Sequence, residues 1–160
     1  MLSDCQIIPA EESHLRPAAE LAARLVQFHH QLDPRRFAIL SNDVAGGYER
    51  WFRQCIANPQ AVVLVAIAGQ RVIGYAYGSL EPRNWNELLD ACGLLHDVFV
   101  DERYRSRGVG AALVEQMVRR LAALGAPRVV LKTAASNQAA QRLFAQMGFR
   151  QTMIEMTREL

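Results

Sequence analysis

Apolar positions recur along the chain with two periods, and the switches between them mark out the elements. Ala18 to Gln31 carries Leu21, Leu25 and Phe28 at helical spacing, which predicts an amphipathic helix ended by Asp33-Pro34. A second helix is expected from Asp43 to Ala57, with Tyr48, Trp51, Phe52 and Cys55 inward and Asn58-Pro59 after it. Ala61 to Ile67 is a β-branched run of strand length, apolar on both faces, as a strand inside a sheet must be. Gly69-Gln70 suits a two-residue hairpin turn, after which Val72 to Leu80 returns antiparallel. Leu94 to Val100 reads as a further strand, reached through a polar connection from Glu81 to Cys92.

The second half is patterned more sharply. Val109 to Leu124 places Leu113, Val114, Met117, Val118, Leu121 and Leu124 on one side and Glu115, Gln116, Arg119 and Arg120 on the other. Gly125-Ala126-Pro127 ends that helix, and Arg128 to Thr133 follows as a strand. Ser136 or Asn137 can cap a helix reaching Met147, with Gly148 placed to close it. Phe149 to Arg158 is expected to form a last strand or hairpin, and a short first strand is expected at Cys5 to Pro9. The order β-α-α-β-β-β-α-β-α-β predicts an α/β (α+β) fold, a mixed sheet with helices on both faces, in a single domain spanning residues 1–160.

Composition narrows the function classes. The chain has 160 residues, 51% hydrophobic and 21% charged, too apolar for intrinsic disorder. A net charge of +2 argues against nucleic acid as a partner. The longest apolar stretch, Ala61 to Ala68, is short of a membrane span, and the opening Met-Leu-Ser-Asp-Cys-Gln lacks the basic start of a signal peptide. Cys5, Cys55 and Cys92 are odd in number and far apart, which suits three reduced thiols in a cytoplasmic protein and no metal site.

Between the strand ending at Val100 and the long helix stands Arg105-Ser106-Arg107-Gly108-Val109-Gly110-Ala111. Glycines there remove Cβ atoms that would hold a ligand off the backbone. The unpartnered first-turn N–H groups and the helix dipole then favour phosphate. A Walker loop is excluded, since no Gly-Lys-Ser/Thr occurs and the one lysine, Lys132, falls in a strand. A dinucleotide-binding turn is disfavoured by Leu113 where a third small residue belongs. A pyrophosphate cradle for coenzyme A remains, beside the plain alternative of a glycine-containing helix start with solvated arginines.

The surroundings favour the cradle. The run His96-Asp97-Val98-Phe99-Val100-Asp101-Glu102-Arg103-Tyr104-Arg105-Ser106-Arg107-Gly108-Val109-Gly110-Ala111 resembles the cofactor motif of the GNAT N-acetyltransferase superfamily: strand, short turn, Arg/Gln-x-x-Gly-x-Gly/Ala, helix. Downstream, Asn137-Gln138-Ala139-Ala140 through Gly148-Phe149 resembles the family's Asn-x-x-Ala…Gly-Phe segment, in the family's order and separation. The likeness is specific from about Ala61 onward and only topological before it.

This resemblance implies a mostly antiparallel central sheet in which two parallel strands, Leu94–Val100 and Arg128–Thr133, splay apart to admit acetyl-CoA as co-substrate. Backbone groups of Val98, Phe99 and Val100 are then expected to bond the pantetheine arm. The N–H groups of Arg105, Ser106, Arg107, Gly108, Val109, Gly110 and Ala111 are expected to hold the pyrophosphate, with Asn137 opposite and Phe144 beside the cofactor. In many members the position of Phe144 is tyrosine, whose hydroxyl protonates the leaving thiolate. Water, Tyr75, Tyr77 or Tyr104 stand open as substitutes.

Amide formation needs a neutral amine. At pH 7 neutralising a lysine-like amine costs about 4.6 kcal/mol, and an α-amino group about 1 kcal/mol. Asp97 and His96 interrupt an apolar strand beside the expected cleft and are the candidate catalytic residues. Strand alternation would point their side chains to opposite faces, so they are not expected to act as one dyad. Asp97 resembles an acidic position that some small-amine acetyltransferases of the superfamily keep by the acceptor; a carboxylate satisfying a neighbouring backbone group is the alternative. His96 has the better intrinsic pKa for a base, against an ordinary packing role. Glu155 is a weaker candidate. His29-His30 diverge on a helix, which does not suit shared metal binding, and they are either acceptor-mouth lining or plain surface. Trp85 is either loop packing or a wall of that mouth.

The sequence thus predicts direct acetyl transfer to the primary amine of a small molecule, by a monomer or homodimer without membrane attachment. Protein or peptide N-acetylation and a non-catalytic acyl-CoA-binding module are the alternatives.

Overall fold

The computed structural model describes residues 5–39 and 41–160. The reading of the leader at Met1 to Asp4 lies outside them. Strands β1 (Cys5–Pro9), β2 (Ala61–Ala68), β3 (Arg71–Glu81), β4 (Cys92–Val100) and β5 (Val129–Leu131) form one sheet in the order β1-β2-β3-β4-β5. Neighbours pair antiparallel except β4 and β5, which run parallel. The β2–β3 hairpin turns at Gly69, whose φ is +60°.

Helices α1 (Glu12–Leu32) and α2 (Val44–Ile56) cover one face of the sheet, and α3 (Val109–Ala123) and α4 (Gln138–Gln146) the other. The inward residues of β2 and β3 alternate between these layers: Val63, Val65, Tyr75 and Tyr77 join Leu15, Leu25 and Phe52, while Leu64, Ile73 and Ala76 join Leu113, Met117 and Leu121. That is the doubly apolar run of Ala61 to Ile67 serving two cores at once. Cys5, Cys55 and Cys92 are free and buried.

α1 starts six residues before its expected first residue and runs through Pro17. A proline this near the N-terminus removes one intrahelical bond, and the fully buried Leu15, Ala18, Ala19 and Ala22 outweigh it. The Glu11 N–H finds its acceptor in His14 Nδ1 at 3.1 Å. Asp43 caps α2 by accepting from the Gly46 N–H at 2.9 Å.

The expected last strand or hairpin at Phe149 to Arg158 does not form, and this corrects the sequence reading. Those residues lie outside any strand, with Met153 and Ile154 each 83% exposed and Met156 89% exposed. Strand propensity without a surface to bury against is a weak force. β5 also spans only Val129–Leu131 rather than Arg128 to Thr133, because β4 offers it partners at Gly93, Leu94 and Leu95 alone. The tail is tied instead by an ion pair between Arg36 and Glu155. Among the described residues no helix is long and apolar enough to cross a membrane.

Leu113 is fully buried between α3 and the sheet. Leu113→Ala should lower unfolding stability by about 2–5 kcal/mol, read as a lower denaturant midpoint with unchanged slope.

Candidate active site

The sheet opens at one place. β5 pairs with β4 only from Gly93 to Leu95, so the outer edge of β4 from His96 to Val100 carries no strand. On its inner edge β4 continues along β3 to Gly74↔Val100, and the Asp101 N–H donates to Ile73 O at 2.9 Å. Backbone direction alternates along an antiparallel ladder. The groups of Phe99, like those of Asp101, therefore face β3, while Val98 and Val100 present theirs to the open side. The Phe99 side chain instead joins the core beneath α1 and α2.

Beyond Val100 the chain makes a 3-10 turn at Glu102–Tyr104 and then curls, with Ser106 at φ +60° and Gly108 at φ +79°. Left-handed residues in such a loop gather successive N–H groups on one side. Gly108 is the N-cap of α3, and the first helical bond runs from Ala112 N–H to Gly108 O at 3.0 Å. The N–H groups of Val109, Gly110 and Ala111 thus lack a helical acceptor. Gly108 is exposed and Gly110 half-buried. A Cβ on Gly110 would meet Leu143 Cδ2 at 3.5 Å and Val100 Cγ2 at 3.9 Å, so alanine fits there and branched side chains fill the space.

The loop arginines contribute less free charge than their number suggests. Arg103 binds the buried Asp101 at 2.7 and 3.1 Å, and Arg24 of α1 reaches the same carboxylate at 3.1 Å. Arg103 above all holds the Asp101 carboxyl well below the usual carboxylate range. Arg105 turns inward: its Nε donates to Val100 O at 2.9 Å and its guanidinium lies 5.1 Å from the Phe99 ring centroid. Burial lowers its pKa, with Arg24 adding to the effect. Arg107 lies over the Tyr104 ring and makes no ion pair among the described residues.

The two candidate catalytic residues share a face, which overturns the expectation that they diverge. The β3–β4 register passes from Tyr77↔Asp97 to Gly78↔Leu95, leaving His96 as the extra residue of a bulge. Asp97 Oδ2 accepts from the Tyr75 hydroxyl at 3.2 Å, and the His96 ring stacks on Tyr77 with centroids 4.8 Å apart. Tyr75 and Tyr77 both belong to the core under α1 and α2, so both residues stand on that side.

Burial raises the Asp97 carboxyl above its ordinary range, opposed by the Tyr75 hydroxyl and the neighbouring His96. Tyr48 of α2 lies within the field of the same carboxylate, and burial and that charge hold its proton firmly. His29 stacks on Phe37 at 4.9 Å, and burial lowers its pKa against the pull of Asp97. His30 Nδ1 instead contacts Phe37 O at 2.8 Å. A recess of about 380 Å³ opens between α1 and α2, with Val26, Ala38, Tyr48 and Trp51 among its walls.

Tyr48 was legible only as an inward helix position. The missing step is that a half-buried phenol favours a polar neighbour, and the Asp97 carboxylate stands near it. Ser79 and Glu81, which bond to each other and approach His96, carried no sequence signal beyond lying near the end of β3.

On the other face, Asn137 caps α4 by accepting from the Ala140 N–H at 3.2 Å. Phe144 is buried against Phe149, with centroids 5.9 Å apart. Tyr104 stays near the loop, whereas Trp85 is 73% exposed beneath Arg83. Glu155 pairs with Arg36 on the surface.

The profile of the acetyltransferase (GNAT) family matches residues 21–149. The chain is 22% identical over 151 residues to human N-alpha-acetyltransferase 30, covering 93% of this chain and 41% of that protein. It is 30% identical over 132 residues to mycothiol acetyltransferase of Pseudarthrobacter chlorophenolicus, covering 82% of this chain and 38% of that protein. It therefore spans well under half the length of the curated relatives it matches. Among solved structures, a tetramutant of the BH1408 protein of Bacillus halodurans superposes with a TM-score of 0.82 at 21% identity, covering 97% of this chain and 99% of that one. Aminoglycoside N-acetyltransferase AAC(6')-Iy, in complex with CoA, gives 0.75 at 19% identity, covering 98% and 94%. At these identities the structural likeness is one of fold. With a parallel strand pair that parts after three rungs and a glycine-opened helix start beside it, the chain belongs to the acetyltransferase (GNAT) family.

Proposed function

We propose that this chain is an acetyl-CoA-dependent N-acetyltransferase that moves acetyl directly to the primary amine of a small molecule, acting as one cytoplasmic domain, monomeric or homodimeric. The observation that carries this reading is the unpaired outer edge of β4, which leads from Asp97 straight into the N–H groups at the start of α3. Val98 and Val100 supply main-chain bonds for the pantetheine arm, and residues 105–111 supply those for the pyrophosphate. Each directed N–H bond to an anion is stronger than the dipole term of about 0.3–1 kcal/mol, so the main chain provides most of the grip. Asn137 and Phe144 bound the slot from α4. Three buried free thiols fit a reducing compartment.

Asp97, ringed by Tyr48 and Tyr75, receives the ammonium, and His96 beside it takes the proton. The amine lone pair then attacks the thioester carbonyl, the sulfur leaves with the C–S electron pair, and the second proton shed by nitrogen passes through water to the thiolate. Phe144 offers no proton, so positioning carries more of the rate here than acid catalysis does. Proximity is worth about 7–11 kcal/mol, against roughly 10²–10⁴-fold for a general acid. The 30% identity to mycothiol acetyltransferase supports a small acceptor. The likeness to human N-alpha-acetyltransferase 30 supports the second reading, a peptide N-terminus. Acetyl-CoA-dependent thiol release across amines, amino acids and peptides separates the two, and release with none of them favours a binding module.

Gly110→Val should weaken acetyl-CoA binding by roughly tenfold or more, about 1.4 kcal/mol, with Gly110→Ala near wild type. Unchanged calorimetric affinity for the valine variant would remove the cradle.

Asp97→Asn should cut turnover by roughly a hundredfold without lowering the thermal midpoint at neutral pH. The sign follows from the raised pKa: the folded state holds the Asp97 proton more tightly than the unfolded chain does. The charged form therefore costs stability at neutral pH, and the cost fades as pH falls through the folded pKa. Wild-type kinetics on a true substrate would exclude Asp97 from the site.

A further inference from the structure

His96 touches a second set of polar groups that the transfer reaction as described does not use. The Ser79 side chain, only 6% exposed in the sheet, lies 2.6 Å from Glu81 Oε1 and 2.8 Å from His96 Nε2. A serine hydroxyl has one proton to donate, and a carboxylate can only accept. The short contact to Glu81 is the charge-assisted geometry that takes that proton. Ser79 Oγ then has only lone pairs to offer the imidazole, so Nε2 must carry the ring hydrogen.

We propose that Ser79 and Glu81 are positioning residues that lock His96 in its Nε2–H tautomer, leaving Nδ1 as the basic nitrogen facing the acceptor amine. This rests on the reading of His96 as the base. The spacing is suited to it: Ser79 and Glu81 are two apart on β3 and share a face, and the bulge at His96 brings its ring to that face, stacked on Tyr77. When the ammonium proton passes to Nδ1, the new imidazolium charge lies beside Glu81, whose Oε1 is 3.4 Å from Nε2. Asp97, the other acid close to the ring, is engaged by Tyr75. Two carboxylates thus divide the work, Asp97 toward the acceptor and Glu81 behind the ring.

Long-range ¹H–¹⁵N spectra of the full chain labelled in histidine read the tautomer directly, and His96→Gln assigns the signal. The expected result is Nε2–H alone in the wild-type chain and in Ser79→Thr, and a mixture with Nδ1–H in Ser79→Ala. Nδ1–H in the wild-type chain, or a Ser79→Ala spectrum identical to it, would overturn the proposal. On the most active amine of the panel, Ser79→Ala should lose about tenfold in kcat at unchanged KM, restored by Ser79→Thr. The expected tautomers together with full turnover by His96→Gln would uphold the lock and refute the base.

Discussion

One strand that pairs on a single side organises this molecule. β4 is bonded to β3 along its length but meets β5 at three residues only. Buried main-chain N–H and C=O groups demand partners, so an unpaired edge inside a layered fold is costly unless something else bonds it. The slot, the loop beyond Val100 and the start of α3 follow one another along that edge. A fold that zipped the two strands to their ends would gain a few ladder bonds and lose the open edge of β4.

The same strand brings together acids with opposed surroundings. Asp101 sits at its end between Arg103 and Arg24, which hold it well below the usual range. Asp97, four residues earlier, is raised by burial among tyrosines. Asp101 therefore contributes stability at neutral pH that is lost in acid, as its proton returns. Asp97 does the reverse, its charge costing stability at neutral pH. Environments that push two titrating groups apart commonly mark where structure ends and chemistry begins.

Much of this was legible in the chain. The inward stripe of α3 and the doubly apolar β2 stated their layers outright, and Gly108 marked the turn into α3. What periodicity cannot express is a one-residue irregularity: a bulge costs no composition, yet it turned His96 onto the face of Asp97. The expected helix began at Ala18, whereas α1 starts at Glu12 and runs through Pro17, since a proline near a helix start is outweighed by the burial of its neighbours. The tail from Phe149 to Arg158 carries strand-forming residues without a partner edge long enough to order them. Contacts between distant segments, Tyr48 to Asp97 and Ser79 to His96, exist only once the helices and strands have been stacked.

The arginines of the loop after β4 have a further consequence. Two of the three are already committed, Arg103 to Asp101 and Arg105 to Val100 O. In the proposed cradle a diphosphate would meet fixed amide dipoles at contact distance rather than mobile cations in solvent. Attraction between solvated charges fades over a screening length of about 8 Å at physiological ionic strength, while contact hydrogen bonds are little affected. A cradle of that kind would make cofactor affinity shallow in its response to added salt, unlike that of sites that seize phosphate with exposed lysines.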